Sequence, residues 1–320
     1  MARFVLALLL FAGALLPAHA QYPSRPIRIV IGFASGSAAD IVARVIGAKL
    51  QETWTAGLIV DAKAGAAGLI ATQEVARAAP DGYTLLLAAQ SQISLPPNTN
   101  RYFPADLLAN LTPVAELANA DLSFAVSPQH VPPKTLPEYL TWAKSRKAVF
   151  MGDFGPGSIT HLAGALLAHL TRLNFEPIHY KSTADIWNGV FNGDLQGMFF
   201  ATGTIVPYAK SGKIRVLATT GKARLELFPD VPTFKELGFP DLEVVSWYGL
   251  MAPAKTPPEI VDALSAAFIA AVKSPAVRAK LEEIGFRASG MGREEFARMI
   301  REDSARWAKV VSAIGFKMID

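Results

Sequence analysis

Short apolar runs alternate with stretches of helical periodicity twice along this chain, and that alternation restricts the fold more than any other feature. Residues 27–33 (IRIVIGF) predict a buried strand. The small-residue turn Ala34-Ser35-Gly36-Ser37 follows, then a helix over 38–52 with Ile41, Val42, Val45 and Leu50 on one face. A strand at 58–61, a helix at 66–78 and a strand at 83–88 complete a β-α-β-α-β series, the pattern of a parallel sheet covered on both faces. A second series begins after Val131-Pro132-Pro133. It reads helix 136–144, strand 149–151, helix 158–170, strand 176–180, helix 184–192, and strands at 195–200 and 214–219. Two α/β lobes in succession are the expectation.

The joints carry a second expectation. Residues 111–127 and 242–252 are long, strand-like and aromatic, and they flank the second series. A chain that crosses by the first and returns by the second makes a two-stranded hinge. The tail, with helices at 257–273, 275–284 and 293–314, then belongs with the first lobe; Ser274-Pro275 starts its middle helix and Gly285 stops it. The expected organisation is a leader at 1–20, a first lobe from 21–123 and 223–320, and a second lobe at 124–222.

The leader reads as an export signal. Met1-Ala2-Arg3 is basic, residues 4–16 are apolar, and Pro17-Ala18-His19-Ala20 ends in an A-x-A cleavage pattern, so the mature chain is expected to begin at Gln21. The apolar run is too short to span a bilayer, and Gln21 is not the Cys a lipid anchor needs. The absence of Cys excludes disulfide staples, thiolate catalysis and thiolate-bound metal. A formal net charge of +4, spread without a basic stripe, gives no reason to expect nucleic acid as a partner.

Catalytic and cofactor signatures are missing. There is no G-x-S-x-G elbow, H-E-x-x-H or Walker loop, and Gly155-Pro156-Gly157 continues to Thr160 rather than to the third glycine of a dinucleotide fingerprint. His130, His161, His169 and His179 have no spacing that builds a metal site. Ser158 and His161 lie one helical turn apart, but without an orienting acid or oxyanion donor they read as a cap and its neighbour rather than a nucleophile and base. An enzyme is not expected, nor is a cofactor. What the chain does have is helix starts placed just after strands: Ser37-x-x-Asp40, Gly157-Ser158-x-Thr160 and Ser182-x-x-Asp185. In an open parallel sheet such starts line the ligand crevice and present free N–H groups, which suits a carboxylate.

Several motifs then carry a resemblance. These are Tyr22-Pro23-Ser24-Arg25-Pro26-Ile27-Arg28-Ile29-Val30 leading to Asp40, Ala79-Pro80-Asp81-Gly82-Tyr83-Thr84, Gly157-Ser158-x-x-His161-Leu162-Ala163-Gly164, Asp230-Val231-Pro232-Thr233, and Ser246-Trp247-Tyr248-Gly249-Leu250. In order and over essentially the whole chain they resemble the Bug family, the extracytoplasmic receptors of tripartite tricarboxylate transporters. The resemblance implies a two-lobed α/β periplasmic binding protein (type II, flytrap) with a two-stranded hinge. It would be a monomer in the periplasm, closing on a small organic carboxylate and delivering it to membrane transporter subunits. A receptor of the same fold acting on a membrane sensor kinase is the other reading, and an exported hydrolase a third.

In the family the carboxylate is held by the loop after the first strand and by the Gly-x-Gly-Ser/Thr loop. Here those positions include Phe33, Ser35, Gly36, Ser37 and Asp40, then Gly157, Ser158, Thr160 and His161. The family's Tyr-Lys-Gly loop matches Tyr180-Lys181-Ser182, which adds Ser182 and Thr183 as contacts, and Gln90, Phe200 and Thr204 complete the candidate set. The chain also departs from the family. Gly32-Phe33-Ala34-Ser35-Gly36-Ser37 stands where Pro-Phe-Pro-Pro-Gly-Gly is usual, Phe200-Ala201 where Asp-Asn is common, and Asp61-Ala62-Lys63-Ala64-Gly65-Ala66-Ala67-Gly68 where Glu-Asn-Arg-Pro-Gly-Ala-Gly-Gly is usual. With Phe33, Phe154 and Trp187 nearby, these changes predict an apolar far end of the cleft and a ligand whose far end is aromatic or aliphatic.

Overall fold

The computed structural model describes residues 22–319 apart from 105 and 181. The reading of 1–20 as a leader, with a start at Gln21, lies outside the described residues. Along the first part of the chain run β1 (Ile27–Ile31), α1 (Ala38–Leu50), β2 (Leu58–Ala62), α2 (Leu69–Ala76), β3 (Thr84–Ala89), and the short α3 (Gln90–Ile93) and α4 (Pro96–Thr99). The 16-residue β4 (Leu111–Val126) follows. Next come α5 (Leu136–Lys144), β5 (Val149–Asp153), α6 (Ile159–Thr171), β6 (Phe175–His179), α7 (Thr183–Asn192), β7 (Gly197–Ala201), α8 (Thr202–Lys210) and β8 (Arg215–Thr219). The chain ends with β9 (Val245–Pro253), α9 (Pro258–Lys273), α10 (Pro275–Glu283), β10 (Arg287–Met291) and α11 (Arg293–Ala313).

β1 pairs in parallel with β2 and β3, and β5 pairs in parallel with β6 and β7, so each series makes its own small parallel sheet. The strand order is β2-β1-β3-β9-β4-β7-β5-β6, with β8 and β10 also paired to β4. One strand therefore belongs to both lobes. Residues 111–121 of β4 pair antiparallel with β9, while residues 122–126 pair antiparallel with β7 and β8. The expected two-stranded hinge is present as β4 and β9. The changeover is stitched by buried threonines: Leu122 N donates to Thr220 Oγ1 at 2.9 Å, the Thr220 hydroxyl donates to Val244 O, and Thr202 Oγ1 donates to Asp121 O at 2.9 Å.

Most of each core comes from its own lobe. Ile29, Leu85, Ile46, Leu264 and Phe268 share one cluster, and Phe124, Tyr139, Leu166 and Phe199 share another. The tail does not stay with the first lobe. α11 starts there, with Phe296 against Trp247 at 5.2 Å between rings, but Trp307, Val310 and Val311 at its far end lie in the Phe124 core, and α11 packs on both α4 and α6. Residues 234–244, also expected in the first lobe, pack there too through Phe234, Leu242 and Val244. A helix of this length reaches across two lobes because it rises about 1.5 Å per residue. β10, absent from the expectation, adds to β4 through a bulge between Ala288 and Met291. Among the described residues no single helix is long and apolar enough to cross a membrane.

Candidate functional site

Strand direction decides which ends of the sheets meet. β4 is antiparallel to β9, and β9 is antiparallel to β3, so β4 leaves the first lobe at the edge where β1 and β3 end. In the second lobe β4 is antiparallel to β7, and its residue Leu122 faces Ala201, the last residue of β7. β4 thus enters the second lobe at the edge where β5 and β7 end. The carboxyl edges of the two parallel sheets face each other across the crossing at Asp121–Leu122, and the loops that follow β1, β3, β5 and β7 are brought together. Close contacts bind the lobes here. A Cβ on Gly203 would come within 2.0 Å of Ile284 O, and one on Gly157 within 3.0 Å of Thr99 Cβ.

The three helix starts singled out in the sequence are caps. Ser37 accepts from Asp40 N, Ser158 from His161 N and Ser182 from Asp185 N, each in extended backbone just before its helix. Nearby loop amides are also held by the chain's own side chains. Gly36 N donates to Asp40 Oδ2 at 2.9 Å, Gly155 N to Asp153 Oδ1 at 2.6 Å, and Gly157 N to His161 Nδ1 at 3.2 Å. Asp40 also takes Arg44, whose guanidinium holds its carboxyl below the usual range. These acceptors occupy amides that the resemblance assigns to a ligand carboxylate.

Other candidates divide by exposure. Ser35, Gly36, Thr183 and Thr204 are exposed, while Phe33, Ser37, Ser158 and Ser182 are half-buried. Thr160 is buried and joins Phe154 N and Ser158 Oγ. Gln90 is buried, its Nε2 donating to both oxygens of Asp303 at 2.9 Å, with Trp247 Nε1 on the same carboxylate at 3.0 Å. Phe200, expected to face the ligand, is 2% exposed in a core shared with Trp187, whose ring lies 5.3 Å away. Strand alternation turns this side chain into the lobe, so Phe200 fills a core while Ala201 stays partly exposed. Phe154, 41% exposed with its ring edge-on to Phe200, is the aromatic left at the surface of the loop.

Ser158 and His161 do not form a nucleophile–base pair, since the Ser158 hydroxyl accepts the backbone N–H of His161, not its ring. The ring turns to a cluster that sequence spacing did not reveal. His179 Nδ1 donates to Asp153 Oδ1 at 2.7 Å, and the His161 and His179 rings meet edge-on at 5.3 Å. Burial pushes the His161 imidazole below its ordinary pKa, keeping it neutral near pH 7. Sequence spacing gives the histidines no metal-site motif; in the fold Asp153, His161 and His179 each offer a ligand atom within 4.8 Å of the others. Asp153 and His179 are 26 residues apart and meet only because they are register partners on β5 and β6.

The comparisons agree with this architecture. A family profile described as "Tripartite tricarboxylate transporter family receptor" matches residues 42–316. Protein BugT of Bordetella pertussis is 31% identical over 318 residues, covering 96% of this chain and 95% of that protein. A Rhodopseudomonas palustris protein solved with adipate superposes with a TM-score of 0.86 at 28% identity, over 93% of this chain and 100% of that one. MatC of Rhodopseudomonas palustris, solved with bound malate, gives a TM-score of 0.80 at 28% identity, over 91% of this chain and 100% of that one. These neighbours have the periplasmic binding protein fold, and the family is one of solute-binding receptors, not enzymes. The chain belongs to the tripartite tricarboxylate transporter receptor family.

Proposed function

We propose that this chain is exported, cleaved after Ala20, and acts in the periplasm as a monomeric receptor. It captures a small organic carboxylate between its lobes and hands it to the membrane subunits of a tripartite tricarboxylate-type transporter. The observation that carries this reading is the meeting of two carboxyl sheet edges at one hinge, each bearing a serine-capped helix start. Relatives of the same family solved with malate and adipate support the ligand class. The two lobes close about the changeover at 121–122 and 244–245. A ligand carboxylate competes with Asp40, Asp153 and His161 for the loop amides and takes the hydroxyls of Ser35, Ser37 and Ser158. An aliphatic or aromatic far end of the ligand suits the exposed Phe154 ring.

Mass spectrometry of the exported protein under native conditions tests this directly, giving both the mature amino terminus and any retained acid. Calorimetry against aliphatic, aromatic, dicarboxylic and amino acids then ranks the ligands. At a hundredfold excess over its dissociation constant a true ligand adds about 2.7 kcal/mol to stability. If no carboxylate raises the melting temperature, the receptor reading is wrong in its ligand. Preference for aspartate, glutamate or citrate over every monoacid would overturn the apolar far end alone.

A further inference from the structure

We propose that Asp153, His161 and His179 form a binding site for a borderline divalent cation of the Zn2+ class, beneath the loop at 154–158. The three residues come from the ends of β5 and β6 and the first turn of α6, and their ligand atoms lie within 4.8 Å of one another. Two imidazoles and one carboxylate are a set that binds Zn2+ and leaves a coordination position for water or an incoming acid oxygen.

A second observation points the same way. The Asp153 side chain is only 3% exposed, and among the described residues its Oδ2 is buried without a hydrogen-bond partner. A buried carboxylate oxygen left unpaired is costly, and a cation satisfies it. There is room beside it: a cavity of about 50 Å³ is lined by Asp153, Thr160 and His161. There is also a way in. His179 is 38% exposed and borders an open groove of about 420 Å³ with Tyr180, Asp185 and Asp194.

Uptake changes the His179 tautomer. His179 Nδ1 and Asp153 Oδ1 lie 2.7 Å apart across one proton; the cation takes its place, the proton of the neutral imidazole sits on Nε2 instead, and the pair opens to about 3.3 Å, the separation of two ligands at ~2.0 Å in a tetrahedron. His161 moves in from its 3.2 Å contact with Gly157 N.

The test uses the full mature chain, freed of metal and titrated with Zn2+ against a chromogenic chelator. Co2+ serves as an optical reporter of tetrahedral nitrogen and oxygen ligation. One equivalent of Zn2+ should bind, with Mg2+ failing to compete because it disfavours imidazole. His179→Gln and Asp153→Asn should each weaken Zn2+ at least about tenfold. His179 is half-exposed and its replacement leaves the core intact, so this variant decides the matter even where Asp153→Asn unfolds. Absence of stoichiometric uptake overturns the proposal. So does wild-type affinity in His179→Gln, which would place the zinc elsewhere.

Discussion

Removing the guanidinium of Arg287 should destabilise the protein in a way that depends on pH. Asp121 stands at the point where β4 changes lobes, its side chain fully buried, and Arg287 on β10 holds both of its oxygens. Burial pushes the Asp121 carboxyl above its usual pKa, and Arg287 opposes that shift. Arg287→Met leaves the carboxylate stranded. Breaking a buried pair from one side costs about 3–5 kcal/mol. Arg287 is 39% exposed, so water already screens the pair and the lower end applies. A second route gives the same scale: protonating Asp121 instead costs about 1.4 kcal/mol per pH unit above an unfolded pKa of ~3.9, or about 4 kcal/mol at pH 7.

The sign follows from linkage. In the variant the folded pKa lies further above the unfolded one, so the deficit is present in full above the folded pKa and disappears as pH falls to the unfolded value. Urea titrations of wild type and variant at pH 7 and pH 5 should show a deficit of about 3 kcal/mol at pH 7 that shrinks at pH 5. Asp121→Asn in the Arg287→Met background should recover part of the loss. A deficit under about 1 kcal/mol at pH 7, or one unchanged at pH 5, would refute the reasoning.

Four further outcomes are expected. Trp307→Ala should cost about 3–5 kcal/mol in urea titrations and expose the tail to protease, because this fully buried ring ties α11 into the second core; a loss below about 1 kcal/mol would contradict that. Gly203→Ala drives a methyl into the Ile284 carbonyl and should separate the lobes, seen as a larger radius of gyration by small-angle scattering, whereas an unchanged radius would disprove close backbone contact there. Ala67 holds φ at 52°, in the left-handed region that favours glycine, so Ala67→Gly should relieve about 1 kcal/mol of strain and raise the melting temperature; a lowered one would count against this. Ser158→Ala should lose about 1 kcal/mol of stability with its cap and weaken carboxylate binding by roughly 0.5–3 kcal/mol; a destabilised variant with intact affinity would leave Ser158 as a cap only.

What was legible in the residues is local. Helix 136–144 matches α5 at both ends, and the serines at 37, 158 and 182 cap the helices they were read as starting, because a side chain and an amide three residues on need no other part of the chain. The apolar runs found β1 and β3, since burial on both faces favours near-continuous apolar sequence. Long-range pairing decided the rest. Arg-Ala-Ser-Gly-Met shows no apolar run and becomes β10 only because β4 offers it an edge. Phe200 reads equally well as cleft or core until β7 is set beside β4 and β5, which turns the ring inward against Trp187. The tail crosses to the second lobe because Trp307 finds its burial there, a partnership invisible in any window of neighbours. Asp153 and His179 carry no common motif; parallel register between two strands brings them within 2.7 Å, and tertiary packing alone sets that register.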